Sequence, residues 1–240
     1  VEILSAEGTS LYSNSYTATI SSGSNNRIEE SFLTGTDTPI KEIIFDGSGS
    51  EENPFQIKTI EDLYKLAELI NTDNNTDYQS VHYIQTADFD LTGQDALAIG
   101  TETFPFKGTY DGNGKTISNN TGLLGVIEGA TIKNVRLENP SLDKKTIIGG
   151  LICTTSKGTS TIENCGCEFK DIEIDKVLGG ICGEIASGTL TIKGVKVSGN
   201  KLKVLSKEGN SYNGGFIGKI SEGSNANITD SYIYIKANIG

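Results

Sequence analysis

The 240-residue chain has no methionine, no tryptophan, a single histidine and four prolines. A chain without Met has lost its initiator. It therefore reads as processed or as part of something longer, with room for a removed targeting segment. The lone His82 excludes the two-histidine helical zinc-protease motif. It is also the one imidazole that a Ser-His-Asp or Cys-His arrangement could use. It lies in Ser80-Val81-His82-Tyr83-Ile84, the start of a strand, where a surface or edge histidine is the simpler reading. Positive charge is scarce: 20 Lys and Arg stand against 31 Asp and Glu, a net charge of −11. Such a chain repels phosphate backbones and offers no basic patch to anionic lipid, so neither nucleic acid nor a membrane surface is an expected partner. No apolar run approaches the roughly 20 residues of a membrane-spanning helix, and no signal or lipidation motif is visible. Hydrophobic residues make up 35% and glycine is frequent, at 29 residues, which implies many turns and a thin or repetitive core.

The four cysteines are Cys153, Cys165, Cys167 and Cys182. One residue separates Cys165 from Cys167, unlike the two-residue spacing of zinc and thioredoxin motifs. On a strand these two side chains share a face, and their apolar neighbours make it the core face, where a free cysteine acts as a small apolar side chain. A disulfide or a metal site is the alternative, although no secreted-type disulfide framework is evident.

What is present is a repeat. Gly122-Leu123-Leu124-Gly125, Gly150-Leu151-Ile152-Cys153, Gly180-Ile181-Cys182-Gly183 and Gly215-Phe216-Ile217-Gly218 share a Gly-apolar-apolar-small core. After a turn, each leads to a second segment, Thr131–Leu137, Thr161–Cys167, Thr191–Val197 and Asn227–Ile233. Ile132, Ile162, Ile192 and Ile228 form one column, Val135, Cys165, Val195 and Ser231 another, and Leu137, Cys167, Val197 and Ile233 a third. The second and third columns lie two residues apart, the period of a strand. A third apolar stretch closes each repeat, as in Ile172-Glu173-Ile174 or Leu202-Lys203-Val204. Three short strands bury too little to stand alone, but stacked repeats share one core, so a parallel coil with like residues over like is expected. The column Asn134, Asn164 and Asp230, broken by Gly194, falls where a strand bends, and its stacked side chains could satisfy backbone groups at the corner.

Upstream, residues 59 to 70 read as a helix with Ile60, Leu63, Ala67 and Ile70 on one face and a Thr59/Asp62 capping box. The polar run from Asn71 to Asp77 stops it. Such a helix is well placed to cover the open end of the coil, or alternatively a side wall. Strand-like stretches follow at Tyr83–Leu91, Thr103–Tyr110 and Lys115–Ile117, with a turn at Asp111-Gly112-Asn113-Gly114. Those acids, like Asp88 and Asp90, read as solvated turn and edge residues, because the turn lacks the further ligands of a calcium loop. Residues 1 to 46 differ, with strands expected at Tyr16–Ile20 and Ile40–Phe45, and Gly47-Ser48-Gly49-Ser50 then looks like a boundary before a domain covering 47 to 240.

Several blocks together resemble a known group. They are Gly47–Phe55, Leu63-Tyr64-Lys65-Leu66-Ala67, Ala87-Asp88-Phe89-Asp90-Leu91, the long stretch Phe104–Ile117 and the Gly-Leu-Leu-Gly repeats. The chain from about 47 to 240 resembles bacterial surface proteins with the GLUG motif, which are similar to the β-helical parts of filamentous haemagglutinin-type adhesins. Cys153 and Cys182 depart from the motif by exchanging one small residue for another. The resemblance implies an all-β fold, a right-handed single-stranded parallel β-helix with one capping helix and a short N-terminal β segment. It further implies export to the surface or exterior of a bacterium and a non-enzymatic role in adhesion or scaffolding. It supplies no catalytic, cofactor or metal residues.

The expected partner is therefore a host or bacterial surface glycan or protein. Tyr232 and Tyr234 alternate with the inward column, face outward, and could form a stacking platform for it. Contact with further repeats or a terminal cap is the plainer role for them. The alternative function is a carbohydrate-active β-helix enzyme, a polysaccharide lyase or hydrolase. Glu138 and Glu168, about one rung apart, would have to carry that chemistry.

Overall fold

The structure is a computed structural model that describes residues 2–4, 10–13, 44–72, 76–120, 122–140, 142, 148–174, 177–204 and 212–236. The chain divides into two units, Val1–Ile44 and Phe45–Gly240. In the first, Glu2–Leu4 and Ser10–Ser13 pair as antiparallel strands. The strands expected at Tyr16–Ile20 and Ile40–Phe45 lie outside the described residues, save Ile44 and Phe45, which are in no strand.

The second unit is a parallel β-helix. From residue 148 one turn runs through Ile148–Gly150, Cys153–Lys157, Thr159–Glu163 and Gly166–Ile174. The next repeats the path through Val177–Gly179, Cys182–Ile185, Thr189–Lys193 and Lys196–Val204. Equivalent strands pair in parallel from turn to turn and build four walls. We name these the glycine, cysteine, threonine and long walls, in the order in which the chain meets them. Each full turn thus has four strands where three were expected. The segment read as one strand, Thr131–Leu137, breaks into Thr131–Lys133 and Arg136–Glu138. In later turns the third apolar stretch runs on from the second half without interruption, giving the nine-residue strands of the long wall.

Corner chemistry explains the break. Asn134, Asn164 and Asp230 adopt φ of 55°, 52° and 50°, and Gly194, the odd member of the column, 63°. This is the left-handed region, which costs other L-residues about 1–2 kcal/mol and which Asn, Asp and Gly enter most readily. The corner was anticipated as a place where side chains satisfy backbone groups. The common property of the column is instead its backbone conformation, and that is why glycine can replace Asn there. One side-chain bond does form, from Asn134 Nδ2 to Asp111 Oδ1 at 2.9 Å.

The inward columns stack as expected. Ile132 pairs with Ile162, and Ile162 with Ile192, in direct register, and all three are fully buried. Below them the column continues through Tyr110 and Tyr83, and above through Ile228. Leu137, Cys167 and Val197 form the matching column of the long wall. One alignment needs correction. Leu124, Cys153, Cys182 and Ile217 occupy a single column of the cysteine wall, so the second Gly-apolar-apolar motif was set one residue out of frame. The doublets Gly149-Gly150 and Gly179-Gly180 allow two frames, and strand register selects the one that stacks Gly150, Gly179 and Gly214. A Cβ at any of these three would lie 1.7–2.0 Å from the carbonyl oxygen three residues ahead, so the corner closes only over glycine.

The helix spans Ile60–Thr72 and buries Leu63, Leu66, Ala67 and Ile70, while Ile60 is half-buried. Its capping box is formed: Asp62 N donates to Thr59 Oγ1 at 3.1 Å and Thr59 N to Asp62 Oδ2 at 3.0 Å. A short second helix, Thr76–Gln79, follows in the polar run expected to be loop. The helices connect Phe55–Ile57 to His82–Gln85, the first two strands of the threonine wall. Asn71 donates to Ala98 O at 2.7 Å and accepts from Gly100 N at 2.8 Å. Ile99 in turn bridges to Leu124 at the edge of the cysteine wall. The helix therefore lies one layer beyond the first edge and caps that end of the coil. Phe45, Phe55, Tyr78 and Tyr83, with ring centroids 5.7–6.3 Å apart, fill the space beside it. The expected boundary Gly47–Ser50 is a tight turn of this layer, with Ser48 N and Gly49 N donating to Asn53 O and His82 N to Gly49 O.

The stretch Tyr83–Leu91 forms two strands in different walls, His82–Gln85 and Phe89–Asp90. Thr103–Tyr110 yields only Thr109–Asp111 and a bridge at Phe106, and the last strand is Thr116–Ser118.

The corner account predicts that Asn164→Ala destabilises the protein by about 1–2 kcal/mol while Asn164→Gly stays within about 0.5 kcal/mol of the parent. Urea denaturation of the two variants checks it.

Candidate binding wall

The long wall carries two outward columns beside its inward Phe89, Ile117, Leu137, Cys167, Val197 and Ile233. Strand alternation dictates them. The first is Thr116, Arg136, Gly166, Lys196 and Tyr232. The second is Asp90, Ser118, Glu138, Glu168, Ser198 and Tyr234. Tyr232 and Tyr234 are 54% and 64% exposed, and the Lys196 ammonium stands 5.8 Å from the centre of the Tyr232 ring.

Two shallow hollows lie along these columns. One, of about 350 Å³, is bounded by Asp88, Asp90, Thr116, Ser118 and Glu138. The other, of about 210 Å³, runs between Arg136 and Lys196 and reaches Glu138, Glu168 and Tyr232. Glu138 borders both. The second exists because Gly166 sits between the two cations, where an added Cβ would meet nothing within 4 Å. Strand alternation puts Gly166, between Cys165 and Cys167, on the outward face in the sequence itself, but the trough it opens is visible only in the structure. A side-chain gap flanked by two long cations was the signal available.

The acids read from the sequence as solvated turn and edge residues have local duties. Asp88 Oδ1 accepts from Thr116 N at 2.7 Å. Asp90 Oδ1 accepts from Asn119 Nδ2 at 2.8 Å and from the Thr92 hydroxyl at 2.7 Å. The Asn119 amide and then Thr92 hold the Asp90 carboxyl below its usual range, so it stays ionised and is unsuited to donate a proton. Asp111 accepts from Asn113 N at 2.8 Å inside its turn and pairs with Lys133 at 3.6 Å. Among the described residues no group of three or more His, Cys, Asp or Glu is arranged to hold a metal ion. His82 is half-buried at the first position of its strand, next to Thr109. The four cysteines are buried free thiols, and desolvation pushes Cys165 up to about 12 and Cys167 higher still. Glu138 and Glu168 are direct register partners on adjacent rungs.

The threonine wall offers a different surface. Thr131, Thr161 and Thr191 form one outward column, and the next alternates in sign through Lys133, Glu163 and Lys193. Every rung of these two columns carries a branched or long side chain.

Comparison with known proteins adds three findings. No family model matches the chain. Halomucin from Haloquadratum walsbyi is 30% identical over 138 residues, which is 48% of this chain and 1% of halomucin. The chain thus spans a very small part of that protein's length. The crystal structure of "a putative immunoglobulin A1 protease" from Bacteroides ovatus superposes with a TM-score of 0.52 at 17% identity, over 80% of this chain and 70% of that one. At that identity the likeness shows the β-helix fold alone. No helix among the described residues is long and apolar enough to cross a membrane.

Gly166→Ala is predicted to be neutral or to stabilise by up to about 1 kcal/mol, because the site is open and the backbone ordinary. Gly199→Ala on the same wall drives a methyl to within 2.3 Å of the Phe169 ring and should lower the melting temperature measurably. Calorimetry of the pair checks both.

Proposed function

We propose that the chain is a non-enzymatic adhesion or scaffolding module of a bacterial surface or secreted protein, binding glycan or protein along the long wall. The observation that carries this reading is the trough between Arg136 and Lys196, with Tyr232 at its end and the Glu138 and Glu168 carboxylates along its side. An aromatic face with flanking donors and acceptors matches what a sugar presents, apolar ring faces edged by hydroxyls. The stacked strands set the different groups of these columns about 4.8 Å apart along the coil, so an extended partner can be engaged at several rungs. The partial likeness to halomucin supports a surface setting. The net charge of −11 argues against polyanionic partners.

The second reading, a carbohydrate-active enzyme, rests on the register pairing of Glu138 with Glu168. Two carboxylates one rung apart are the minimum that glycoside hydrolysis requires. Asp90, a neighbouring acid of the same column, is committed to Asn119 and Thr92.

Binding to a glycan array and to bacterial and host cells tests the proposal. The parent protein should bind at least one surface, and Tyr232→Ala with Tyr234→Ala should weaken that binding roughly tenfold or more. Failure of the parent protein to bind any surface contradicts it. Polysaccharide turnover that disappears in Glu138→Gln or Glu168→Gln would replace it with the enzymatic reading.

A further inference from the structure

We propose that Cys153 and Cys182 form a disulfide that staples two successive turns of the coil when the chain folds in an oxidising compartment. The two residues are direct register partners on adjacent parallel strands of the cysteine wall. Neighbouring strands lie about 4.8 Å apart, inside the roughly 4.4–6.8 Å Cα separation that a disulfide spans. Both side chains point into the core and are fully buried, between Leu124 on one side and Ile217 on the other. The other two thiols have no such partner. Cys167 stacks between Leu137 and Val197. Cys165 lies in the layer of Val135 and Val195, as its flanking backbone bonds from Gly166 N to Val135 O and from Lys196 N to Cys165 O require. Four cysteines therefore sort into one stacked pair and two isolated apolar positions.

The bond forms by thiol–disulfide exchange with a small-molecule disulfide such as oxidised glutathione. One protein thiolate attacks it and releases a glutathione thiol. The second protein thiol, losing its proton, displaces the other. The two protein sulfurs are oxidised by two electrons in all, and one glutathione disulfide is reduced to two thiols. The exchange belongs to folding rather than to the finished structure. Once packed, the neighbouring Cys182 thiol and then burial push Cys153 far above the ordinary thiol range, so the reactive thiolate is scarce and the oxidant has no access. The closed loop is one turn of the coil. The staple therefore ties this turn to the next where a coil would otherwise open rung by rung.

The test uses the full chain, produced in an oxidising bacterial periplasm and, separately, refolded from denaturant in a glutathione redox buffer. Remaining thiols are alkylated, and the protein is digested with trypsin without reduction. Cleavage after Lys157, Lys170 and Lys176 puts Cys153, the Cys165/Cys167 pair and Cys182 on separate peptides. The expected result is peptide 146–157 joined to peptide 177–193, with both cysteines of peptide 158–170 alkylated. The oxidised protein should melt roughly 5–15 °C above the same protein held in reductant, and this difference should vanish in Cys182→Ala. Alkylated Cys153 and Cys182 in both preparations, or a link from either to peptide 158–170, would overturn the proposal. So would an oxidised form that melts no higher than the reduced one.

Discussion

Register between successive turns is the constraint from which everything else in this molecule follows. A parallel ladder holds each strand about 4.8 Å from the next, so every side chain sits over the residue one turn below. A column must therefore be made of residues that pack on their own kind. Ile132, Ile162 and Ile192 meet that demand with fully buried β-branched side chains, each contributing about 1.5–3 kcal/mol by burial. Where the threonine and long walls meet, the same stacking holds the backbone in a left-handed corner on four successive turns. Asn, Asp or Gly then recurs at that height, at Asn134, Asn164, Gly194 and Asp230. One turn cannot bury its apolar side chains alone. The coil is a shared core, closed at its first edge by the helix and an aromatic cluster.

The register that orders the core also orders the surface. Outward residues of the long wall lie in two straight files, and a single missing side chain at Gly166 becomes a trough between Arg136 and Lys196. A flat wall of this kind favours long partners over small ones, because its groups are strung along an axis instead of converging on a point. That is the physical ground for preferring adhesion or scaffolding to catalysis. Catalysis needs convergent groups with perturbed proton affinity, whereas the Asp90 carboxylate of this wall is pushed toward staying charged.

Much of this was legible in the sequence, and the parts that were not share a cause. The isoleucine columns, the helix with its Thr59/Asp62 capping box and the outward placement of Tyr232 and Tyr234 all follow from periodicity, which is a local property. The corner at Asn134 was located correctly, but its reason was misread, since side-chain hydrogen bonding and a positive φ favour the same residues. The frame of the Gly-apolar-apolar motif was lost at Gly149-Gly150, where a doublet permits two alignments and only hydrogen bonding to the next turn chooses between them. That slip of one residue concealed the stacking of Cys153 on Cys182. The fourth strand of each turn was hidden likewise, because the corner residues Leu151 and Ile152 are as apolar as the strands they join.

Spin labels on the outer column of the threonine wall test the stacked coil most directly. Cysteines introduced at His82, Thr109 or Thr131 would each be paired with one at Asn227, all in a background whose native thiols are buried. The column predicts backbone separations of about 24, 19 and 14 Å, falling by one rung spacing at each step, and dipolar distances should track that series. Distances that do not shorten in even steps, or that fail to order the three pairs, would contradict the account.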